Sequence, residues 1–272
     1  MKEVAGLVLD AKDLARCRKE ITGSIRDMAA EGSFEGAVLG VSGGVDSAVV
    51  LKLACEAKVS VHALIMPEEG VTPASDVEDA RAFAEHLGVR YSVVRIDPFL
   101  AALKASFPWD DFAAGRKRLS LGNAKARTRM VINYLAANLG NRLVLGTGNR
   151  TEILLGYATK YGDGGVDMLP IGDLYKTRVW QLARALGVPE RIVSKTPTAG
   201  LWLGQTDERE LGASYEEIDK LLYLMVEGGK PAAQAAKELS CSEDLADGLL
   251  ERMRSGAHKR AVPPITKLFD KA

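Results

Sequence analysis

Residues 39–54 read LGVSGGVDSAVVLKLA, and Ser42, Gly43, Gly44, Asp46 and Ser47 follow directly on an apolar run. Glycine loses more backbone freedom on folding than any other residue, so an adjacent pair needs a reason. At a strand-to-helix turn, free backbone N–H groups and the positive end of the helix attract an anion. There Gly43 and Gly44 would let a phosphate approach the main chain, and Ser42 and Ser47 would add hydroxyl donors. Asp46 would repel a bare phosphate. Its presence makes sense with Mg²⁺ in between, because that ion takes one or two carboxylates together with phosphate oxygens. The glycines alone fit a plain tight turn equally well; the whole string SGGxDS at a strand end favours a phosphate site. No lysine follows the glycines, so the G-x-x-x-x-G-K-[ST] loop is excluded, and G-x-G-x-x-G does not fit either.

A second set of candidates lies about a hundred residues on, in LVLGTGNRTEILLGYATKYGDGGVDMLPIGDLYKTRV. Thr147 and Glu152 come just after an apolar run, and Glu152 can supply a second carboxylate for the metal. Lys160, Asp163, Asp167 and Lys176 follow in a glycine-rich segment. Such charges usually belong to an ordinary solvated loop. The density of glycine, the alternating sign of charge and the place after a strand weaken that reading.

These residues must be positioned by the surrounding elements. Short buried runs at GAVLGV, VSVHALIMP, RYSVVRID and NRLVLGTGN read as four strands, with helical patterns between them. EVAGLVLDAKDLARCRKEITGSIRDMAAEG, SAVVLKLACEA and PFLAALKASF carry helical spacing. SDVEDARAFAEHLGV reads as a helix with Ser75 as its N-cap and an end at Gly88. PWDDFAAGRKRLSLG looks irregular or weakly helical. NAKARTRMVINYLAANLG reads as an amphipathic helix capped by Asn123. Strand–helix alternation implies an α/β fold: a doubly wound, mainly parallel sheet with helices on both faces. Past Gly204 the chain reads as a helical extension with a proline-containing tail. Ligands in such sheets bind beyond the carboxyl ends of the strands, so the loops after Val41, Ile65, Ile96 and Leu145 should share one edge.

The 272 residues are 47% hydrophobic and 26% charged, with 36 basic and 36 acidic side chains. Balanced charge argues against binding nucleic acid or an anionic membrane by bulk charge. Cys17, Cys55 and Cys241 form no ligand pattern or disulfide framework, which favours a reducing, cytoplasmic setting. No apolar run approaches the ~18 residues of a membrane span.

SGGVDS resembles the pyrophosphate loop of the ATP pyrophosphatases, enzymes that cut ATP between its α- and β-phosphates. The longer strings go further. GNAKARTRM, GTGN–TE, TKYGDGGVDMLPIGDLYKT, KTPTAGLWLGQTDERELGASYEEID and HKR–PP are similar, in order, to those of ammonia-dependent NAD synthetases. The likeness runs from near residue 38 to near 266 and implies one synthetase domain over 1–272, without a glutaminase domain. Some members read GTDHAAE where this chain has GTGNRTE; the threonine and glutamate keep their spacing.

The resemblance implies that the nicotinate carboxylate of deamido-NAD is adenylylated by ATP and then attacked by ammonia, releasing AMP. It casts Gly40, Val41, Ser42, Gly43, Gly44, Val45, Asp46 and Ser47 around the ATP phosphates, with Thr147, Lys176 and Thr198 as further ATP contacts. Asp46 and Glu152 would bind Mg²⁺. Arg127, Lys160, Asp167, His258 and Lys259 match deamido-NAD positions. Without the motifs, Lys176, Arg127 and His258 would pass for solvated or structural residues. Asp163 is suggested as a proton acceptor for ammonium or as a ligand to a second metal. The family also implies a homodimer whose substrate site takes residues from both subunits, with the apolar MVINYLAANL as a candidate interface or simply core. Two loops, PEEGVTPASD and about 196–214, are expected to close over the site. The rival readings are another AMP-forming ligase, a synthetase fed by a separate glutaminase, and a non-catalytic nucleotide sensor. The retained Asp46, Glu152 and Lys176 disfavour the last.

Overall fold

The computed structural model describes residues 4–112 and 114–268. Each of the four expected strands is present: β1 (Gly36–Gly40), β2 (Val61–Ile65), β3 (Arg90–Val93) and β4 (Arg142–Leu145). They form one parallel sheet in the order β3-β2-β1-β4, with Ala37 level with Val61 on one side and Leu143 on the other.

Around the sheet lie α1 (Ala11–Glu31), α2 (Val45–Glu56), α3 (Ala74–His86), α4 (Asp97–Ser106) and α5 (Lys117–Leu139). Side-chain alternation along the strands divides the core in two. Ala37, Leu39, Ala63, Ile65, Leu143 and Leu145 face one layer, packed with Ile25 of α1, Val49 and Leu53 of α2 and Phe83 of α3. Val38, Leu64 and Val144 face the opposite layer, with Leu100 of α4 and Ile132 and Ala137 of α5. The sheet is therefore covered on both faces, which is why its central strand β1 is apolar along its whole length, while the edge strand β3 (RYSV) keeps polar and exposed positions.

The chain continues as α6 (Arg150–Leu155), α7 (Lys176–Ala185), α8 (Glu190–Val193), α9 (Asp207–Leu211), α10 (Tyr215–Val226), α11 (Ala232–Leu239) and α12 (Glu243–Ser255). Val179 and Leu182 of α7 join the α2 side of the sheet core. The later helices gather around a core of their own, with Tyr215, Ile218, Leu222, Leu239 and Leu249. This is the helical extension expected after Gly204.

Three boundaries differ from expectation. The first helical run is divided: a 3-10 turn (Ala5–Leu7) precedes Asp10, whose carboxylate accepts the Asp13 N–H at 2.7 Å and starts α1. Ser75 is not an N-cap. Pro73 takes that place at φ −58° and ψ 139°, already set for helix entry by its ring, and Ser75 lies in the first turn. Asn123 is not a cap either, because α5 begins at Lys117; inside the helix, Asn123 Oδ1 accepts the Thr159 hydroxyl at 2.9 Å.

Candidate active site

From β1 the chain winds outward through β2 to β3, then returns to place β4 on the other side of β1. The loops leaving β1 and β4 thus part from each other, opening a crevice at the carboxyl edge where ligands of such sheets bind. The SGGVDS string leaves β1, and the Thr147–Glu152 string leaves β4.

The first loop is held in shape by its own hydroxyls. Ser42 N–H donates to Ser47 Oγ (3.2 Å), Gly44 N–H to Ser42 Oγ (3.2 Å) and Ser47 Oγ to the Gly44 carbonyl (3.0 Å). Gly43 sits at φ +82°, and a Cβ there would lie 2.2 Å from the Asp76 carbonyl oxygen. Only glycine meets both constraints. Behind the loop, Lys195 Nζ donates to the Gly43 carbonyl (3.1 Å) and pairs with Asp76 (2.7 Å) and Asp79 (2.6 Å). The loop is thereby fixed before any ligand arrives.

Asp46, in the first turn of α2, is ion-paired with Lys176 at the start of α7, whose side chain is only 3% exposed. The other Asp46 oxygen accepts from Asn149 Nδ2 at 3.1 Å. Asn149 caps α6 in a reciprocal capping box: Glu152 N–H donates to Asn149 Oδ1, and Asn149 N–H to Glu152 Oε2, each at 3.0 Å. One short helix thus delivers both an amide to Asp46 and a second carboxylate beside it. Burial, and next the Asp46 charge, push the Glu152 carboxyl well above its usual range. Burial works to lower the Lys176 ammonium, but the Asp46 and Glu152 carboxylates outweigh it and raise the group.

A third carboxylate, Asp207 at the start of α9, adds to the same field. It accepts from the Tyr215 hydroxyl (3.0 Å). The Tyr157 hydroxyl lies 3.1 Å from Asp207 and 2.8 Å from Glu210, so its one proton serves one carboxylate at a time. Burial raises the Asp207 carboxyl. Asp46 thus pairs directly with the Lys176 ammonium, and the Glu152 and Asp207 carboxyls add to the field on it from nearby. An all-oxygen, multiply anionic donor set suits Mg²⁺. Asp46 and Glu152 are the residues able to hold it. Among the described residues no group of three or more acidic, imidazole or thiol side chains is placed to hold a metal ion.

Behind this centre, the fully buried Asp219 of α10 ties α6 to α7. It accepts from the Thr151 hydroxyl (2.6 Å), the Thr177 N–H (2.8 Å) and the Thr177 hydroxyl (2.8 Å). Thr151 Oγ1 in turn accepts the Lys176 N–H at 3.0 Å. Glu152 and Lys176, each next to an anchored threonine, are positioned by one carboxylate that contacts neither.

Other expected residues form a second group. Arg127, exposed on α5, donates to the Lys160 carbonyl from Nε (3.3 Å) and Nη2 (3.2 Å). Asp163 is exposed in the following turn and accepts the Thr159 N–H at 2.8 Å. Asp167 accepts the Tyr134 hydroxyl and the Val144 N–H, each at 2.8 Å, joining α5 to β4. Gly156 and Gly256 meet closely enough that a Cβ on either would collide with the other's backbone. This contact brings Lys259 Nζ to the carbonyls of Gly156 (2.7 Å) and Ala158 (2.8 Å). His258 is exposed beside it. Thr147 is half-buried after β4. Thr198, exposed between α8 and α9, uses its hydroxyl within its own loop, accepting the Gly200 N–H at 3.1 Å.

Sequence reasoning passed over Asn149, Asp207, Asp219, Tyr157, Tyr215 and Lys195. Asn149 had a signal: N-x-x-E after a strand is a capping-box spacing. Asp219 and Tyr215 stand in the SYEEID string, read for its family likeness without a role for either residue; Asp219 works through contacts more than 40 residues away, and Tyr215 through Asp207, eight residues before it.

A model of the NAD synthase family matches residues 17–263. The NH(3)-dependent NAD(+) synthetase of Methanosarcina mazei is 46% identical over 259 residues, covering 94% of this chain and 100% of that protein. Among solved structures, an NMN synthetase from Francisella tularensis superposes with a TM-score of 0.82 at 35% identity, covering 94% of this chain and 99% of that one. The NH3-dependent NAD synthetase from Campylobacter jejuni does so at 0.77 and 30%, covering 94% and 100%. With the loop of β1 and the carboxylates and lysine of α6, α7 and α9 meeting at one switch point, and with the match extending over nearly the whole chain, the protein belongs to the NAD synthase family.

Proposed function

We propose that the protein amidates deamido-NAD to NAD, using ATP to activate the nicotinate carboxylate and ammonia as nitrogen donor, with release of AMP and pyrophosphate. A carboxylate is a poor acyl donor because oxide is a poor leaving group; adenylylation replaces it with AMP. The observation that carries this reading is the meeting of Asp46, Glu152 and Lys176 at the mouth of a pre-shaped glycine loop. Gly40–Ser47 cradle the phosphates, while Thr147 and Thr198 flank them. Lys176 places a compact cation against the charge that builds up on the leaving pyrophosphate. Asp46 and Glu152 hold Mg²⁺, which when bound neutralises phosphate charge.

Arg127, Lys160, Asp167, His258 and Lys259 bind the acceptor along α5 and the 156–167 segment. Asp163, exposed on that segment, is the carboxylate we assign to taking the proton of ammonium. The exposed stripe Val131, Leu135, Leu139 on α5, one turn beyond Arg127, supports a homodimer with the acceptor site at its seam. No helix among the described residues is long and apolar enough to cross a membrane. Scattered free cysteines and balanced charge support a cytoplasmic enzyme without a nucleic-acid partner.

The test is incubation with ATP, Mg²⁺, deamido-NAD and ammonium, with NAD, AMP and pyrophosphate measured together. Equal amounts of the three are expected. ADP in place of AMP, or no NAD, would sink the reading. The likeness to an NMN synthetase favours one further acceptor, nicotinate mononucleotide, to be run in parallel; a higher kcat/KM for it would move the acceptor assignment and leave the chemistry standing. Glutamine should not replace ammonium.

A further inference from the structure

Lys125 lies in α5 with its side chain 10% exposed, facing an equally buried Glu68. Its Nζ is 2.7 Å from Glu68 Oε2 and donates to the Leu201 carbonyl at 2.6 Å. Glu68 belongs to the loop after β2, and Leu201 to the loop between α8 and α9. These are the two segments that border the crevice and carry lid-like sequences. Near their bases they are joined by the Lys195–Asp76 pair. Further along, Lys125 is the side chain among the described residues that binds both. The first loop is otherwise held by a bond of its own, Glu68 N–H to Thr72 Oγ1 (3.0 Å), and by one to the start of α4, Glu69 N–H to Asp97 Oδ1 (2.9 Å). The second carries Thr198 three residues before Leu201.

A buried ion pair contributes little net stability, since desolvation offsets attraction, but it fixes geometry. We infer that Lys125 is a positioning residue that latches the two loops to one another, so that they close over the crevice as a unit. It touches neither Asp46 nor Lys176 by any described contact. Its effect reaches the chemistry by excluding water from an activated carboxylate. For its chemical readout the inference rests on the amidation reading. In a loosened site, water would attack the acyl carbon in place of ammonia. The carbon–oxygen bond to AMP breaks, AMP leaves, and the nicotinate carboxylate is regenerated with loss of the attacking water's protons to solvent.

The decisive variant is the double substitution Lys125→Met with Glu68→Gln, which removes both charges of the pair. Glu68→Gln alone, which spares the Leu201 bond, serves if the double variant does not fold. At limiting ammonium, the ratio of AMP to NAD should rise at least about threefold over the parent, with the KM for ATP within about twofold. In the ligand-free protein, amide exchange should quicken in residues 68–72 and 198–206 together. An unchanged ratio in a folded variant overturns the inference, as does exchange that quickens in one loop alone. If the parent makes no NAD, the amidation reading falls and the exchange measurement alone decides the latch.

Discussion

At the scale of single residues, the centre depends on charge in a confined place. Three carboxyl groups act on one ammonium, so a neutral isostere at Asp46 or Glu152 removes one of those charges while keeping the shape. Asp46→Asn and Glu152→Gln should each lower kcat by about 10²–10³, the usual loss when one preorganised electrostatic partner is removed, with thermal melting little changed; steady-state kinetics beside calorimetry checks this. Asn149 separates capping from chemistry. Asn149→Asp keeps a good N-cap but sets a fourth carboxylate against Asp46. Folding should survive and activity should drop at least about tenfold, whereas Asn149→Ala should also lose about 1 kcal/mol of stability from the missing cap. Equal activity in the two variants would contradict an electrostatic role for the amide. At this scale much was legible beforehand. Glycines, serines and an acid in six successive residues state their chemistry locally; the Asn149–Glu152 cap carried a local signal but was passed over. Asp207 was not legible, because its meaning lies in two tyrosine hydroxyls and a lysine from other elements.

At the scale of elements, the site exists because α6 and α7 start side by side. Asp219 enforces that through three accepted hydrogen bonds, and burial raises its carboxyl to about 6. A folded-state value above the unfolded 3.8 means that the folded protein keeps a proton the unfolded chain has lost. Its contribution to stability therefore declines as pH rises from about 4 to about 6, by up to about 2–3 kcal/mol. Asp219→Asn should flatten that part of the stability–pH curve; chemical denaturation at several pH values measures it, and an identical slope in the variant would reject the assignment. Asp219→Ala should cost about 3 kcal/mol by leaving buried donors unpaired. The central strand β1 was readable because burial on both faces gives a short unbroken apolar run; the edge strand β3 was readable from its β-branched and aromatic residues between turns. The helix starts were not: Pro73 replaced Ser75, and the start of α5 extended past Asn123. Both were decided by backbone entry and packing, which residue propensity does not encode.

At the scale of the whole molecule, the apolar face of α5 remains to be covered. Val131, Leu135 and Leu139 recur every four residues and are 57%, 59% and 83% exposed, while Ile132 and Ala137 of the same helix pack on the sheet. A helix so placed needs one apolar stripe for the core; a second, solvent-facing stripe fits the proposed homodimer seam. The periodicity of MVINYLAANL alone left core and interface equally open, because a helix apolar on two sides fits either. The sheet settles which side is core, and so points the other outward. A second copy of the chain is the occupant we expect, since a self-complementary stripe closes under two-fold symmetry. Leu135→Glu would place two like charges in that seam. Light scattering coupled to size exclusion should then shift from twice 29.2 kDa to about one chain mass, with melting of the isolated subunit largely retained. Because Arg127 lies one turn from Val131, the monomer should also show a raised KM for the acceptor and an unaltered KM for ATP. A variant that stays dimeric would remove α5 from the interface. A monomer with the parent's acceptor KM would confine the acceptor site to one subunit.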